Sequence, residues 1–366
     1  ASCEKKYTIL LLSAPIGQGK AAAQALEQSF ALADNVQVVH GVFLIFPGSI
    51  GNAFLRFYLW VLSYCPWLYE LAYKWGNRQS GSLWLRNFIN GTLASLAQDF
   101  IVRTNPDAVI ATHATPAGIM AIYKKKFKPD LLLGAVVTDY TVHNGGFAKA
   151  LMRILQHQKI CVPVDGIDAE VLPTGIPVRR QFYQAYDRQE LRRKFNWSEQ
   201  DIVCLLMGGG EGLLPMESIV KLSTVFATAF ENIAVAGHNE ILQHAGIFKE
   251  IPLTVYGFTD DVPELLLAAD IVVTKAGGLT AAETLIAGCN YIIYKPLPGQ
   301  ETGNAVYLEQ YCGAQVAGSP QEVKTMVCRY ADVDSQVRLL QKQQRSLKYG
   351  KPGAAEEISN YILKKT

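Results

Sequence analysis

The sequence is short of charge. Charged side chains make up 18% of its 366 residues, and 34 lysines and arginines nearly cancel 32 aspartates and glutamates, leaving a net charge of +2. Such a balance argues against a general nucleic-acid binder, which needs a strongly basic field. No run of about 20 uncharged apolar residues occurs, so no transmembrane helix is expected. Collagen-like, proline-rich and Gln/Asn-rich tracts are absent. The seven cysteines (3, 65, 161, 204, 289, 312 and 328) form no CxxC and no Cys/His group at zinc spacing. An odd, scattered set points to reduced thiols in a cytosolic protein, most of them small core residues.

What is present is apolar. Hydrophobic residues are 49% of the chain, which excludes disorder, and a chain of this length suggests two domains at roughly 100–200 residues each. The start, ASCEKKYTILLLSAPIG, superficially resembles a signal peptide. Its apolar run is short, however, and passes through a glycine-rich turn into a helical pattern, so it reads as a first buried strand. Charge is uneven along the chain. Residues 1–180 hold 17 basic and 11 acidic side chains and residues 181–366 hold 17 and 21, a basic half followed by an acidic one. Anionic lipid surface is one candidate partner for the basic half; ordinary scatter is the alternative.

Strand and helix signals alternate. Strands are expected at residues 7–13, 36–42, 108–112 and 131–138, with helices at 21–32 and 116–126. The pattern restarts after residue 180, with strands at 202–207, 233–236, 253–256, 271–274 and 291–294. Helices are expected there at 216–230, 262–269, 279–287 and 303–311, and a closing helix at 354–364. Short apolar runs separated by helices imply βαβ units and parallel sheets. The expected architecture is α/β: two facing, doubly wound, Rossmann-like domains with a cleft between them. The domains are 1–178 and 179–345, with a C-terminal helix in 346–366 packing back on the first. In such sheets ligands sit beyond the carboxyl ends of the strands.

Residues 53–75, AFLRFYLWVLSYCPWLYELAYKW, are dense in aromatics. Four of the five tryptophans (60, 67, 75 and 84) fall within or just after this run, with Tyr58, Tyr64, Tyr69 and Tyr73 interleaved. Trp60, Trp67 and Tyr69 suit a lipid–water interface, because their rings are apolar with one polar edge. Pro66 interrupts any continuous helix. A lobe dipping into one leaflet and a buried helical hairpin both fit. The run Lys124-Lys125-Lys126-Phe127-Lys128 adds either attraction to anionic lipid or a solvated helix end.

Three glycine-rich turns follow expected strands. Gly17-Gln18-Gly19-Lys20 fails the Walker A pattern, since Ala21 follows the lysine, and matches the dinucleotide fingerprint weakly, since the third glycine position is Ala22. A glycine turn entering a helix still suits a phosphate or a developing anion. Gly208-Gly209-Gly210-Glu211-Gly212 opens the second domain. The most informative stretch is residues 274–304, TKAGGLTAAETLIAGCNYIIYKPLPGQETGN. Gly277 and Gly278 open a helix whose first amides can face a diphosphate. Glu283 on that helix can accept two hydrogen bonds from a ribose diol. Pro298-Gly299-Gln300-Glu301 reads as a loop offering polar contacts to sugar hydroxyls, and Asn304 starts the next helix.

Taken together these pieces resemble the family-28 glycosyltransferases of the two-domain GT-B architecture. That group contains monogalactosyldiacylglycerol synthases, processive diacylglycerol glucosyltransferases and, more distantly, the lipid I N-acetylglucosaminyltransferase. The resemblance rests on 14–20, Val137-Thr138-Asp139-Tyr140 with His143, Thr174-Gly175-Ile176-Pro177-Val178, 207–212, Gly257-Phe258, 274–283 and 298–304, in the expected order over nearly the whole chain. It implies a UDP-hexose donor held by the second domain. Gly209, Gly210, Glu211, Gly277, Gly278, Leu279 and Thr280 would lie at the donor, Glu283 on the ribose and Phe258 beside uracil. Gln300, Glu301 and Asn304 would lie near the sugar. A diacylglycerol-type acceptor would bind the first domain at an anionic, cytoplasmic membrane surface, with Gly17, Gln18 and Gly19 as its anion-facing turn. Transfer would invert the anomeric centre, with no cofactor, no protein-held metal and no nucleic acid.

Two departures from the family pattern bear on catalysis. The first glycine turn of the family continues to histidine, where this chain has Lys20. The base candidates are therefore Asp139 and His143 of the TD-x-x-x-H piece, His113 and Lys20. The stretch 160–172 is also shorter than usual, and Gly146-Phe147 stand where a tryptophan is common. A catalytically impaired relative that binds UDP-sugar or lipid, a lipid I-type N-acetylglucosaminyltransferase and a UDP-sugar epimerase are the competing readings.

Overall fold

Ile9, Leu10 and Leu11, consecutive in β1 (Tyr7–Ser13), are each fully buried. The computed structural model, which describes residues 6–13, 18–42, 98–140, 153–155, 171–209, 231–238 and 253–366, shows why. Side chains alternate across a strand, and both faces of this one are covered. Ile9 and Leu11 pack with Leu26 and Phe30 of α1 (Gln18–Phe30) and with Ile358 and Ile362 of α10 (Ala354–Lys365). Leu10 and Leu12 pack with Ile101 of α2 (Gln98–Thr104) and with Ala117 and Met120 of α3 (Ala114–Phe127).

Parallel pairing continues through β2 (Val36–Val42), β3 (Ala108–Ala111), β4 (Leu132–Val136), β5 (Arg153–Leu155) and β6 (Val171–Leu172), in the order β2-β1-β3-β4-β5-β6. The order reverses between β1 and β3, which opens a crevice outside their carboxyl ends. The chain divides into two compact units, Ala1–Arg179 with Gly353–Thr366, and Arg180–Pro352. The last helix belongs to the first unit: Ser29 Oγ lies 2.7 Å from Ser359 Oγ, and Gly134 in β4 passes under Ile362.

The second unit repeats the plan. Its strands are β7 (Val203–Met207), β8 (Glu231–Val235), β9 (Thr254–Tyr256), β10 (Ile271–Thr274), β11 (Asn290–Tyr294) and β12 (Gln315–Ala317), all parallel, ordered β12-β11-β10-β7-β8-β9. One face packs Cys204, Leu206, Ile271, Val273 and Ile292 against Val323 and Val327 of α8 (Pro320–Ala331). On the other side α5 (Val262–Ala268) packs on β7 and on α4 (Arg188–Lys194), and α6 (Gly278–Ala287) packs on α9 (Ser335–Tyr349). α7 (Gln300–Tyr311) connects β11 to β12.

An ion pair staples the amino ends of the two central strands. Asp270, just before β10, accepts from the guanidinium of Arg192 at 2.6 Å, from Arg188 at 2.7 Å and from the Val203 N–H at 2.9 Å. Arg192 is 1% exposed, and its remaining donors reach the carbonyls of Ala268, Ser198 and Asp201.

Two differences from the sequence reading bear on the extent of the units and on the site. The second unit runs on to Pro352 rather than ending at 345, because α9 is anchored to it: Lys342 Nζ donates to the Ala269 carbonyl and Ser346 Oγ to that of Ile286. Helix α7 starts at Gln300, not 303, so Gln300 and Glu301 stand in a first helical turn rather than a loop. Gly299, at φ +92°, makes the sharp entry that permits this, and a carboxylate is favoured in a first turn. The aromatic segment with Trp60, Trp67 and Tyr69, the expected helix 216–230, and Gly17, His143, Gly210 and Glu211 lie outside the described residues.

Candidate functional site

The second unit's strand order reverses between β7 and β10, and their carboxyl ends are tied together: Thr274 Oγ1 donates to the Met207 carbonyl at 2.8 Å. A glycine turn follows each strand. After β7, Gly209 sits at φ +78°, and among the described residues no atom beyond its chain neighbours lies within 4 Å of where a Cβ would be. This backbone favours glycine. After β10, Gly277 is the extended residue before α6, and Gly278 is the first residue of the helix. The first N–H groups of a helix have no intrahelical acceptor and carry its positive end. Glu283 is on the same helix, and it, Gly278 and Leu279 are buried. Thr280 lies in the first turn.

The turn's carbonyls are held from below. Tyr291 Oη donates to the Lys275 carbonyl at 2.8 Å, and Asn304 Nδ2 donates to the Ala276 carbonyl at 3.0 Å. Asn304 and Tyr291 are both buried. Lys275 is buried too, with Nζ 3.9 Å from Glu301 Oε1, while Glu301 Oε2 accepts the Leu297 N–H at 2.8 Å. Burial pulls the Lys275 ammonium below the ordinary lysine range, and Glu301 opposes that shift. Glu301 thus bridges the loop before α7 to the turn after β10.

Phe258 follows β9 and is 61% exposed, which is unusual for a large ring. It stacks on His238, which follows β8, with ring centroids 4.2 Å apart and 13° between planes. Two aromatic rings at neighbouring strand ends offer a flat platform. His238 went unnoticed in the sequence, where it is a lone histidine after an apolar run.

In the first unit the crevice between β1 and β3 is equally close-set. Thr112 Oγ1 donates to the Gly19 carbonyl at 2.6 Å, and the Thr112 N–H donates to Leu12. Gln18 and Gly19 start α1, with Lys20 exposed in its first turn. His113 follows Thr112; its side chain is accessible, yet the surrounding protein desolvates it enough to lower its pKa below the usual histidine value. Asp139 follows β4 and is buried. Among the described residues no group of three His, Cys, Asp or Glu side chains could hold a metal ion, and no helix is long and apolar enough to cross a membrane. The described cysteines, Cys204, Cys289, Cys312 and Cys328, are free thiols.

Two parallel-sheet units of this kind, each with a glycine turn at the point of strand reversal, have the architecture of the GT-B glycosyltransferases. Solved structures that share the fold include MurG of Acinetobacter baumannii, with a TM-score of 0.64 and 15% identity over 98% of this chain and 100% of that one. TcCGT1, solved in complex with UDP, has a TM-score of 0.63 and 13% identity over 99% and 100% of the two chains.

Sequence comparison narrows the class. Residues 19–178 match the model of monogalactosyldiacylglycerol (MGDG) synthase and residues 204–352 that of the glycosyltransferase family 28 C-terminal domain. A processive diacylglycerol beta-glucosyltransferase of Bacillus cereus (strain AH187) is 28% identical over 377 aligned residues, covering 98% of this chain and 94% of that protein. The chain belongs to the family-28 glycosyltransferases and is related to the diacylglycerol glucosyltransferases.

Proposed function

We propose that this transferase moves a hexose from a UDP-sugar to the hydroxyl of a diacylglycerol-type lipid at the cytoplasmic membrane surface, with inversion at the anomeric carbon. The observation that carries the donor side is the Gly277–Gly278 turn at the strand reversal of the second unit, opening α6 with Glu283 buried on the same helix. In this reading the amides of Gly277, Gly278 and Leu279 face the diphosphate, and Glu283 accepts from the ribose hydroxyls. Phe258 lies against uracil, and Gln300 serves the sugar. Gly209, whose left-handed backbone carries no side chain, lets the donor's phosphates or sugar approach the end of β7. Support comes from the diacylglycerol glucosyltransferase among the relatives and from UDP in a solved neighbour of the same fold.

The acceptor oxygen forms a bond to the anomeric carbon as the bond from that carbon to the UDP oxygen breaks. The acceptor's proton passes to a base, and UDP leaves with one more negative charge than it had in the donor. Oriented amides at a helix start stabilise that charge. The base comes from the first unit: Asp139 and His143 are the leading candidates, with His113 and Lys20 behind them. The aromatic segment and the basic run from Lys124 to Lys128 supply the lipid side of the reading.

The test is UDP release from UDP-glucose and UDP-galactose, with and without diacylglycerol vesicles, for the wild type, Lys20→His and Glu283→Ala. Lipid-dependent release by the wild type, lost in Glu283→Ala, is expected. Release by Lys20→His alone points instead to a binding protein silenced at one position. No loss in Glu283→Ala overturns the donor assignment.

A further inference from the structure

The turn between β10 and α6 is held by two side chains that are themselves out of solvent. We propose that Tyr291 and Asn304 are positioning residues for the diphosphate of the donor, acting through the backbone rather than by touching the ligand; this rests on the UDP-sugar reading above. The argument is one of peptide geometry. A trans peptide points its carbonyl and its N–H in opposite directions, and none of the described peptides is cis. Tyr291 Oη fixes the Lys275 carbonyl, so the Ala276 N–H is aimed the other way. Asn304 Nδ2 fixes the Ala276 carbonyl, so the Gly277 N–H is aimed the other way. Two donors ahead of the helix are thereby added to those of its first turn, and no acceptor for the Ala276, Gly277 or Gly278 N–H lies among the described residues.

Both anchors are rigid donors. Tyr291 is 2% exposed, and burial holds its hydroxyl well above the ordinary tyrosine range, so it stays protonated and donating at all working pH values. Asn304 is 0% exposed, with its amide inside the protein rather than at a ligand-facing surface. The Lys275–Glu301 pair and the Glu301 bond to Leu297 tie the same turn to the start of α7, which carries Asn304. Preset donors cost no reorganisation when charge develops, which is the property a leaving diphosphate needs.

The experiment measures binding of uridine, UDP and a UDP-hexose by calorimetry to the wild type, Tyr291→Phe, Asn304→Asp and Asn304→Ala, with melting temperatures for each. The expected result is that UDP and UDP-hexose affinities fall together by about five- to tenfold per variant, the size of one lost hydrogen bond, while uridine affinity is unchanged. In steady state kcat falls along with the rise in KM. An equal loss for uridine would mean that the site is merely loosened and would overturn the proposal. A loss confined to the UDP-hexose would overturn it too, making Asn304 a direct sugar contact. Tyr291→Phe, which removes one oxygen from a well-packed ring, is the variant that keeps the test sound should the Asn304 variants fold poorly. Wild-type protein that binds uridine and UDP equally, or neither, refutes the UDP-sugar reading itself, a result distinct from wild-type discrimination that the variants retain.

Discussion

The hydroxyl of Thr112 donates to the carbonyl of Gly19 across 2.6 Å, joining the end of β3 to the first turn of α1. The approach is so close that a Cβ on Gly19 would lie 2.9 Å from the Thr112 carbonyl oxygen. Backbone cannot yield as the tip of a flexible side chain can. Gly19→Val is therefore expected to cost about 1–3 kcal/mol through overpacking, read as a lower urea midpoint. An unchanged midpoint would show that α1 can slide away from β3.

His113 gives a pH dependence whose sign follows from its desolvation by the surrounding protein. Desolvation lowers its pKa below the usual histidine value, so the unfolded chain takes up a proton more readily than the folded one. The contribution to stability is complete above the unfolded value and is lost as pH falls from there through the lower native value. Urea unfolding of the wild type and His113→Asn across that window should show a shallower acid loss in the variant. Parallel curves would remove His113 from the account.

Phe258→Ala tests the ring platform. Because this side chain is mostly exposed and meets His238 in a stack, its removal should leave the melting temperature within a degree or two. If the pair receives a base, uridine affinity should fall by about 1–3 kcal/mol, the size of one base–aromatic stack. His238→Ala should give a smaller loss, and unaltered uridine affinity in both variants would place the base elsewhere.

Asp270 is expected to be the costliest of these positions. Its loss leaves Arg192, 1% exposed, without its carboxylate. Breaking a buried pair from one side typically costs about 3–5 kcal/mol. Asp270→Ala should show that loss in chemical denaturation with donor binding intact under native conditions, since Asp270 lies at the amino end of β10, away from the glycine turns.

Most strands were legible because burial on both faces writes them as short apolar runs; Ile271–Thr274 is one, and its bounds match the sequence reading, whereas the two- and three-residue strands β5, β6 and β12 are too short to leave such a run. Helix α9 was not, for a physical reason. Its inward anchors include Arg338 and Lys342, whose heads reach backbone carbonyls, so no apolar stripe marks the helix. The glycine turns and Glu283 were visible as a pattern. The support beneath them was not: Tyr291 reads as one more core residue of a buried strand, and only its hydroxyl's reach to Lys275 shows otherwise. Likewise Glu301 reads as a free loop carboxylate, whereas its oxygens face Leu297 and Lys275.

Helix α10 gives this chain an order of assembly. Ile358 and Ile362 complete a core begun by Ile9 and Leu11, so the first unit remains unfinished until synthesis has passed Ile362. At roughly 5–20 residues per second that delay is on the order of tens of seconds. During it the whole of the second unit emerges and can fold as a continuous stretch, from Arg180 to Pro352. The first unit meanwhile lacks the helix that packs on Ile9, Leu11, Leu26 and Phe30 in the folded protein. A stop codon or protease cut after Pro352 would leave that core incomplete.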